Sequence, residues 1–218
     1  MQMRKTRNTL CLAAAAAAAI GAGAAHAAAG DWLVRARLIQ VSPNDSTGPV
    51  SGIAGTEAAV SDDTTLELDF TRMLTDHVGL ELILATTRHG VKGSRGAVAG
   101  ADVGSVRVLP PTLTLQYHPQ PDAKVRPYVG IGVNYTLFYD KKAGAGLGAG
   151  ATVDYDSSWG LAAQAGVDMD LGGRWFLNAD VKYIDMDTTL TVRGGAVPGT
   201  TKVKLNPWVF AIGVGTRF

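Results

Sequence analysis

From Trp32 to the end of the chain, apolar and polar side chains alternate with period two in eight separate runs, the pattern of β-strands that show different faces to different surroundings. In the first, Trp32 to Val41, Trp32, Val34, Ala36 and Leu38 oppose Arg35 and Arg37. The second, Thr64 to Met73, sets Leu66, Leu68 and Phe70 against Thr65, Glu67, Asp69 and Thr71, and the third, Val78 to Thr86, sets Leu80, Leu82 and Leu84 against Gly79 and Glu81. Runs four to six cover Val106 to His118, Val125 to Tyr139 and Ser158 to Met169. The seventh runs from Trp175 to about Asp185, and the eighth ends the chain, with Trp208, Phe210, Ile212, Val214, Thr216 and Phe218 opposite Ala211, Gly213, Gly215 and Arg217.

These runs have the roughly 9 to 11 residues that a tilted membrane-spanning strand needs. Leu74 to His77, Pro119 to Lys124 and Asp170 to Arg174 make short connections, whereas Ser42 to Asp63, Thr87 to Gly104, Asp140 to Ser157 and about Met186 to Val203 make long ones. The pattern predicts an all-β fold, an eight-stranded antiparallel transmembrane β-barrel, with both termini and the short turns in the periplasm and the long loops outside. A soluble secreted barrel would alternate too, with its apolar faces inward. Charges amid glycines on the polar faces, aromatics near the ends of the apolar faces and an aromatic last residue favour the membrane reading. Trp32, Tyr117, Tyr135, Tyr139, Trp159, Trp175 and Tyr183, with Phe218, are expected to form headgroup-level aromatic girdles.

The start of the chain predicts export. Arg4, Lys5 and Arg7 precede the apolar run Leu10 to Ile20, and Ala25-His26-Ala27 supplies a small-residue cleavage pattern, so residues 1–27 read as a signal peptide, with its boundary at 27 to 29, and 28–218 as the barrel. The single cysteine, Cys11, lies inside that signal and lacks the small residues expected before a lipidated cysteine, leaving neither a disulfide nor a lipid anchor. Without the three basic residues of the signal, 17 Lys and Arg face 19 Asp and Glu, a balance that argues against nucleic acid as a partner.

Four segments carry a family resemblance. Asp31-Trp-Leu-Val-Arg-Ala-Arg37, Leu109-Pro-Pro-Thr-Leu113, Arg126-Pro-Tyr-Val-Gly-Ile-Gly-Val-Asn-Tyr-Thr136 and Asn206-Pro-Trp-Val-Phe210 resemble the OmpW family of outer-membrane proteins across essentially the whole mature chain. The resemblance implies an eight-stranded barrel with a hydrophobic passage open towards the cell surface, serving uptake of small apolar molecules. The Gly/Ala-rich stretch from Ala143 to Ala151 departs from the family pattern, so the identity of the cargo does not transfer.

An eight-stranded barrel is filled by its own side chains or one small ligand, so a water-filled pore is not the expectation. Arg35, Arg37 and Arg217 can meet Glu67, Asp69 and Glu81 on neighbouring strands as a luminal polar plug. Pro110 and Pro111 cannot donate ladder hydrogen bonds and mark either a lateral opening for apolar cargo or a bulge that shapes the wall. Phe218 resembles the terminal signal read by the barrel assembly machinery. A surface barrel contacting phage, bacteriocin or host molecules without transport is the competing function.

Other signals are weaker. Gly144 to Gly150 echoes a dinucleotide fingerprint without the strand-and-helix context and reads as a flexible loop. His89 near Ser94 lacks an orienting third group, and catalysis is not expected. His77 and His118 are expected as solvated or interfacial side chains at turns, and no cluster has metal-ligand spacing, so neither metal nor cofactor is expected. Arg88, His89, Lys92 and Arg95 make the second loop basic; outer-membrane lipids are the expected surroundings, and contact with lipopolysaccharide phosphates is the second reading of that loop. The sequence leaves the oligomeric state open.

Overall fold

The computed structural model describes residues 28–44, 46–47, 57–95 and 99–218. The expected signal peptide therefore lies outside the described residues. The strands are β1 (Trp32–Ser42), β2 (Ser46–Thr47), β3 (Glu57–Val60), β4 (Asp63–Met73), β5 (Val78–Ala85), β6 (Thr87–Arg95), β7 (Asp102–Leu109) and β8 (Thr112–Tyr117). They continue as β9 (Val125–Ala143), β10 (Thr152–Tyr155), β11 (Ser158–Gly172), β12 (Trp175–Ile184), β13 (Asp187–Arg193), β14 (Gly199–Lys204) and β15 (Trp208–Arg217), with one 3-10 turn at Ala145–Leu147.

Eight of these strands form a closed antiparallel ring, β1–β4–β5–β8–β9–β11–β12–β15, and each falls on one of the eight alternating runs. Closure comes from two long ladders. In one, Leu33↔Arg217 to Ser42↔Trp208 joins the first stave to the last; in the other, Ser158↔Thr136 to Met169↔Val125 joins β11 to β9. With no free edge, the staves' backbone amides pair within the protein outside the stretch at Pro110 and Pro111, the condition for a β structure to sit in hydrocarbon. The apolar faces point outward: Leu66 and Ile131 are 71% exposed and Leu161 is 68% exposed, whereas Arg35, Asp69 and Glu81 are fully buried inside. That is the polarity of a membrane barrel and the reverse of a soluble one.

The wall continues beyond the ring at the long-loop end, where sequence reading expects irregular loops. Strand β5 runs on into β6 past Thr86, β7 leads into β8 through Pro110 and Pro111, β12 runs on into β13, and β14 leads into β15. One extension carries β7, β6 and β3 outward from the upper part of β9, and a second sheet has the order β10-β13-β14-β2. Inside them an apolar cluster, including Ile39, Val91, Phe138, Leu190, Val203 and Val209, lines the upper tube.

The stretch expected as a flexible loop, Gly144 to Gly150, is instead packed. Leu147 is buried in that cluster, and its carbonyl accepts from Ala196 N–H at 2.8 Å. Gly144 and Gly146 let the turn lie against Asp102, where a Cβ on either would collide.

Candidate functional site: an apolar chamber on an ion-pair floor

The lower lumen is polar because the inward residues of β1 and β4 meet in register: Arg35 lies opposite Asp69, and Arg37 opposite Glu67. Arg35 contacts Asp69 at 3.0 Å, donates to Thr71 Oγ1 at 2.9 Å and reaches across the lumen to grip Asp168 with Nε at 3.2 Å and Nη2 at 2.8 Å. The two parallel bonds to one carboxylate fix the guanidinium plane. Arg37 sits 2.7 Å from Glu67 and 2.8 Å from Asp69, off the hydrogen-bond axis, so charge and not directed bonding holds those contacts; its Nη1 donates to Asn178 at 3.2 Å. Glu81, 3.7 and 3.6 Å from Arg35 and Arg37, accepts from Thr114 at 2.7 Å and from Gln164.

Residues from the far wall complete the network. Lys182 bridges Glu67 at 3.0 Å and Asp180 at 2.7 Å, and Tyr128 donates to Asp180 at 2.9 Å. Beneath the network, Leu33, Met73 and Phe176 form a small buried apolar cluster, and the Arg35 guanidinium lies 5.4 Å from the Phe176 ring and 5.3 Å from the Tyr128 ring. Phe176 packs over Gly215 and Tyr128 over Gly166, where a Cβ would collide with the ring. His118, expected to be solvated at a turn, is buried against Tyr128 at 5.3 Å, because it ends an inward-facing row with Thr114 and Gln116.

Arg217 does not join the network. Its partner in the β1–β15 register is Leu33, one inward step nearer the short-turn rim than Arg35, and there it lies 4.0 Å from Asp170 and donates to the Gly173 carbonyl at 3.3 Å. The sequence also gave no prominence to Asp168, Asn178, Asp180, Lys182 and Tyr128. A signal for Tyr128 existed: it is in phase with Gly130, Gly132 and Asn134, the polar face of its strand.

Above Glu67 and Lys182 the lumen turns apolar. A lower chamber is walled by Ile39, Ile83, Ala85, Pro110, Ile184 and Val209, with Glu67 and Lys182 in its floor. An upper chamber is walled by Val91, Val106, Phe138, Leu147, Leu190 and Val192. Val60, His89, Val108 and Leu205 border both, so the two adjoin along one wall.

Pro110 and Pro111 sit beside the lower chamber. On the β9 side they are latched: Asn134 Nδ2 donates to the Pro110 carbonyl at 3.1 Å, and Tyr135 N–H donates to that of Pro111 at 3.0 Å. On the other side the β5–β8 ladder ends at Ile83↔Thr112 and the β6–β7 ladder starts at Thr87↔Val108. Leu84, Ala85 and Thr86 thus face Leu109, Pro110 and Pro111 with no paired register between them.

The expected aromatic residues divide between the two rims. Trp32, Tyr117, Trp175 and Phe218 are exposed at the short-turn end. At the other end Tyr135 packs on Trp159 at 4.6 Å and Tyr183 on Trp208 at 5.2 Å, with Tyr139 four residues further up β9. The basic second loop is a pair of strands on which Arg88 and Lys92 face outward and Arg95 pairs with Glu57 at 3.4 Å. His89 points inward, its ring nitrogens 2.6 Å from the Ser61 carbonyl and 2.9 Å from Thr87 Oγ1.

Known proteins agree with this geometry. The chain is 40% identical to outer membrane protein W of Vibrio cholerae over 97% of its own length and 100% of that protein. Its fold matches the crystal structure of the outer membrane protein OprG from Pseudomonas aeruginosa with a TM-score of 0.81 at 35% identity, covering 89% of this chain and 98% of that one. It also matches outer membrane protein AlkL in DMPC lipid bilayers with a TM-score of 0.70 at 29% identity, covering 93% and 97%. A model of the OmpW family matches residues 28–218. The chain is an outer-membrane β-barrel and belongs to the OmpW family.

Proposed function

We propose that the barrel admits small apolar molecules from outside the cell and releases them sideways into the membrane. The observation that carries this reading is the change of lining within one tube: apolar chambers at the long-loop end stop on a floor of buried, paired charges. An apolar molecule gains by leaving water for the chambers, roughly 25 cal/mol per Å² of surface removed. It gains nothing by entering the ion-pair network, where it would part charges that have no access to water. Arg35, Arg37, Glu67, Asp69 and Glu81 act in this reading as the barrier that turns cargo aside. The unpaired stretch opposite Pro110 and Pro111, beside the lower chamber, is the exit.

Uptake of an apolar fluorescent probe by cells expressing Pro110→Val with Pro111→Val tests the route. Restoring ladder donors should seal the wall, and uptake is expected to fall several-fold at unchanged protein level. Uptake equal to wild type contradicts the sideways exit. The competing surface-receptor reading predicts that the substitutions change nothing in uptake, because none depends on the barrel.

Two further roles fit exposed positions. Arg88 and Lys92 face outward above the apolar belt, suited to phosphate groups of lipopolysaccharide. Phe218 is exposed at the rim and exchanges backbone hydrogen bonds with Trp32, at 3.0 Å in both directions, and it serves as the assembly signal. Deleting it should lower the amount of assembled, heat-modifiable protein; a normal gel shift at a normal level would remove that role.

A further inference from the structure

The unpaired stretch beside the lower chamber has two margins. One, Leu109 to Pro111, is latched to β9 through Asn134 and Tyr135; the other, Leu84 to Thr86, lies where β5 passes into β6. No ladder joins them between Ile83↔Thr112 and Thr87↔Val108. A side chain spans the gap from β9: the Tyr139 hydroxyl is hydrogen-bonded to Thr86 Oγ1. Because the proline margin is fastened to β9, a bond from β9 to Thr86 ties the two margins together.

The register sets the course of this bridge. Arg107 of β7 lies opposite Arg88 on one side and Tyr139 on the other, and Thr86 is one outward step below Arg88. The phenol therefore runs obliquely across the outer face of β7 to reach the far margin. Both ends of the bond lie on the outside of the wall, with Thr86 exposed and Tyr139 39% exposed. Each hydroxyl can find water or a headgroup when the two part, so the bond has a small net strength and opens readily. The other tyrosines of this rim are placed differently, Tyr135 against Trp159 and Tyr183 against Trp208.

We propose that Tyr139 is the strap of the sideways exit: while its hydroxyl holds Thr86 the margins stay together, and its release lets an apolar molecule pass between them. The proposal rests on the passage reading above and adds the residue that sets the rate of release. Cargo leaving the lower chamber between Ala85 and Pro110, both in its wall, meets the phenol as the last obstacle before hydrocarbon.

The test follows the initial rate at which cells take up a naphthylamine fluorophore, at equal amounts of heat-modifiable protein. Tyr139→Phe keeps the ring, removes the bond and should raise the rate about three- to ten-fold, the range of one neutral hydrogen bond. Thr86→Val removes the same bond from its other end and should raise the rate as much, and the two together should add nothing to either alone. Tyr183→Phe, on β12 away from the seam, should leave the rate unchanged. With Pro110→Val and Pro111→Val also present, Tyr139→Phe should restore nothing. The proposal is overturned by a rate at or below wild type in either Tyr139→Phe or Thr86→Val, by additive effects of the two, or by a rise in the sealed background. An equal rise in Tyr183→Phe also overturns it, since the rim would then have loosened as a whole. If sealing with the two valines lowers uptake while Tyr139→Phe changes nothing, the passage stands and only the strap is removed; if sealing leaves uptake at the wild-type rate, both go.

Discussion

The two halves of this tube share the same strands and the same inward phase, yet their interiors have opposite chemistry. Along β1 the inward residues are Arg35 and Arg37 in the lower half, then Ile39 and Val41 in the upper; the outward ones run Val34, Ala36, Leu38 and then Gln40. Strand β9 changes in the same way, from Asn134 and Thr136 inside to Phe138. The solvent outside explains the inversion. Where hydrocarbon surrounds the wall, apolar side chains face out and the polar ones must satisfy one another within; where water surrounds it, the wall obeys the rule of a soluble protein. The apolar interior thus extends up to where the barrel rises clear of the membrane, while its lower part, at Ile39 and Ile83, is still level with the outward apolar residues Leu38 and Leu84.

Breaking each half separately should expose the difference. The largest effect is expected from Arg37→Met, which removes one of three cations, Arg35, Arg37 and Lys182, from a network holding the carboxyl groups of Glu67, Asp69, Glu81, Asp168 and Asp180. Stranding buried charge of one sign typically costs about 3–5 kcal/mol, and urea unfolding of the reconstituted barrel should register it. A smaller effect, about 2 to 3 kcal/mol, is expected from Leu190→Ala, which leaves a void in the upper cluster. It should appear as faster amide exchange in β13 and β14 with the ladders of the ring unchanged. Equal effects of both substitutions on the ring would mean that the two halves unfold as one unit and that the contrast between them is only chemical.

The ring was legible because period two survives in every stave, and the near half of the network because Arg35 and Asp69, like Arg37 and Glu67, lie opposite each other on sequential staves. The far half was not. Asp168 and Lys182 reach Arg35 and Glu67 from across the lumen, over sequence separations of 133 and 115 residues, and no local pattern states the height at which two distant staves meet. Arg217 failed for the same reason: its inward phase is readable, but its level relative to Arg35 depends on register. The upper wall was read as loops because Thr188, Leu190 and Val192, and later Thr201, Val203 and Leu205, alternate over short spans broken by glycine. Their apolar face also points in, opposite to the sense established by the longer runs.

The ladder joining β1 to β15 sets an order of events. The stave synthesised first has as its neighbour the stave synthesised last, so during translation and export one side of β1 waits with its amides unmatched until nearly the whole polypeptide has been delivered. Partners so remote in sequence make slow folding, and an unmatched strand edge invites pairing with other chains. The ring therefore cannot close until β15 is in place beside β1. A chain cut short before Trp208 would yield not a narrower tube but an open sheet with two adhesive margins.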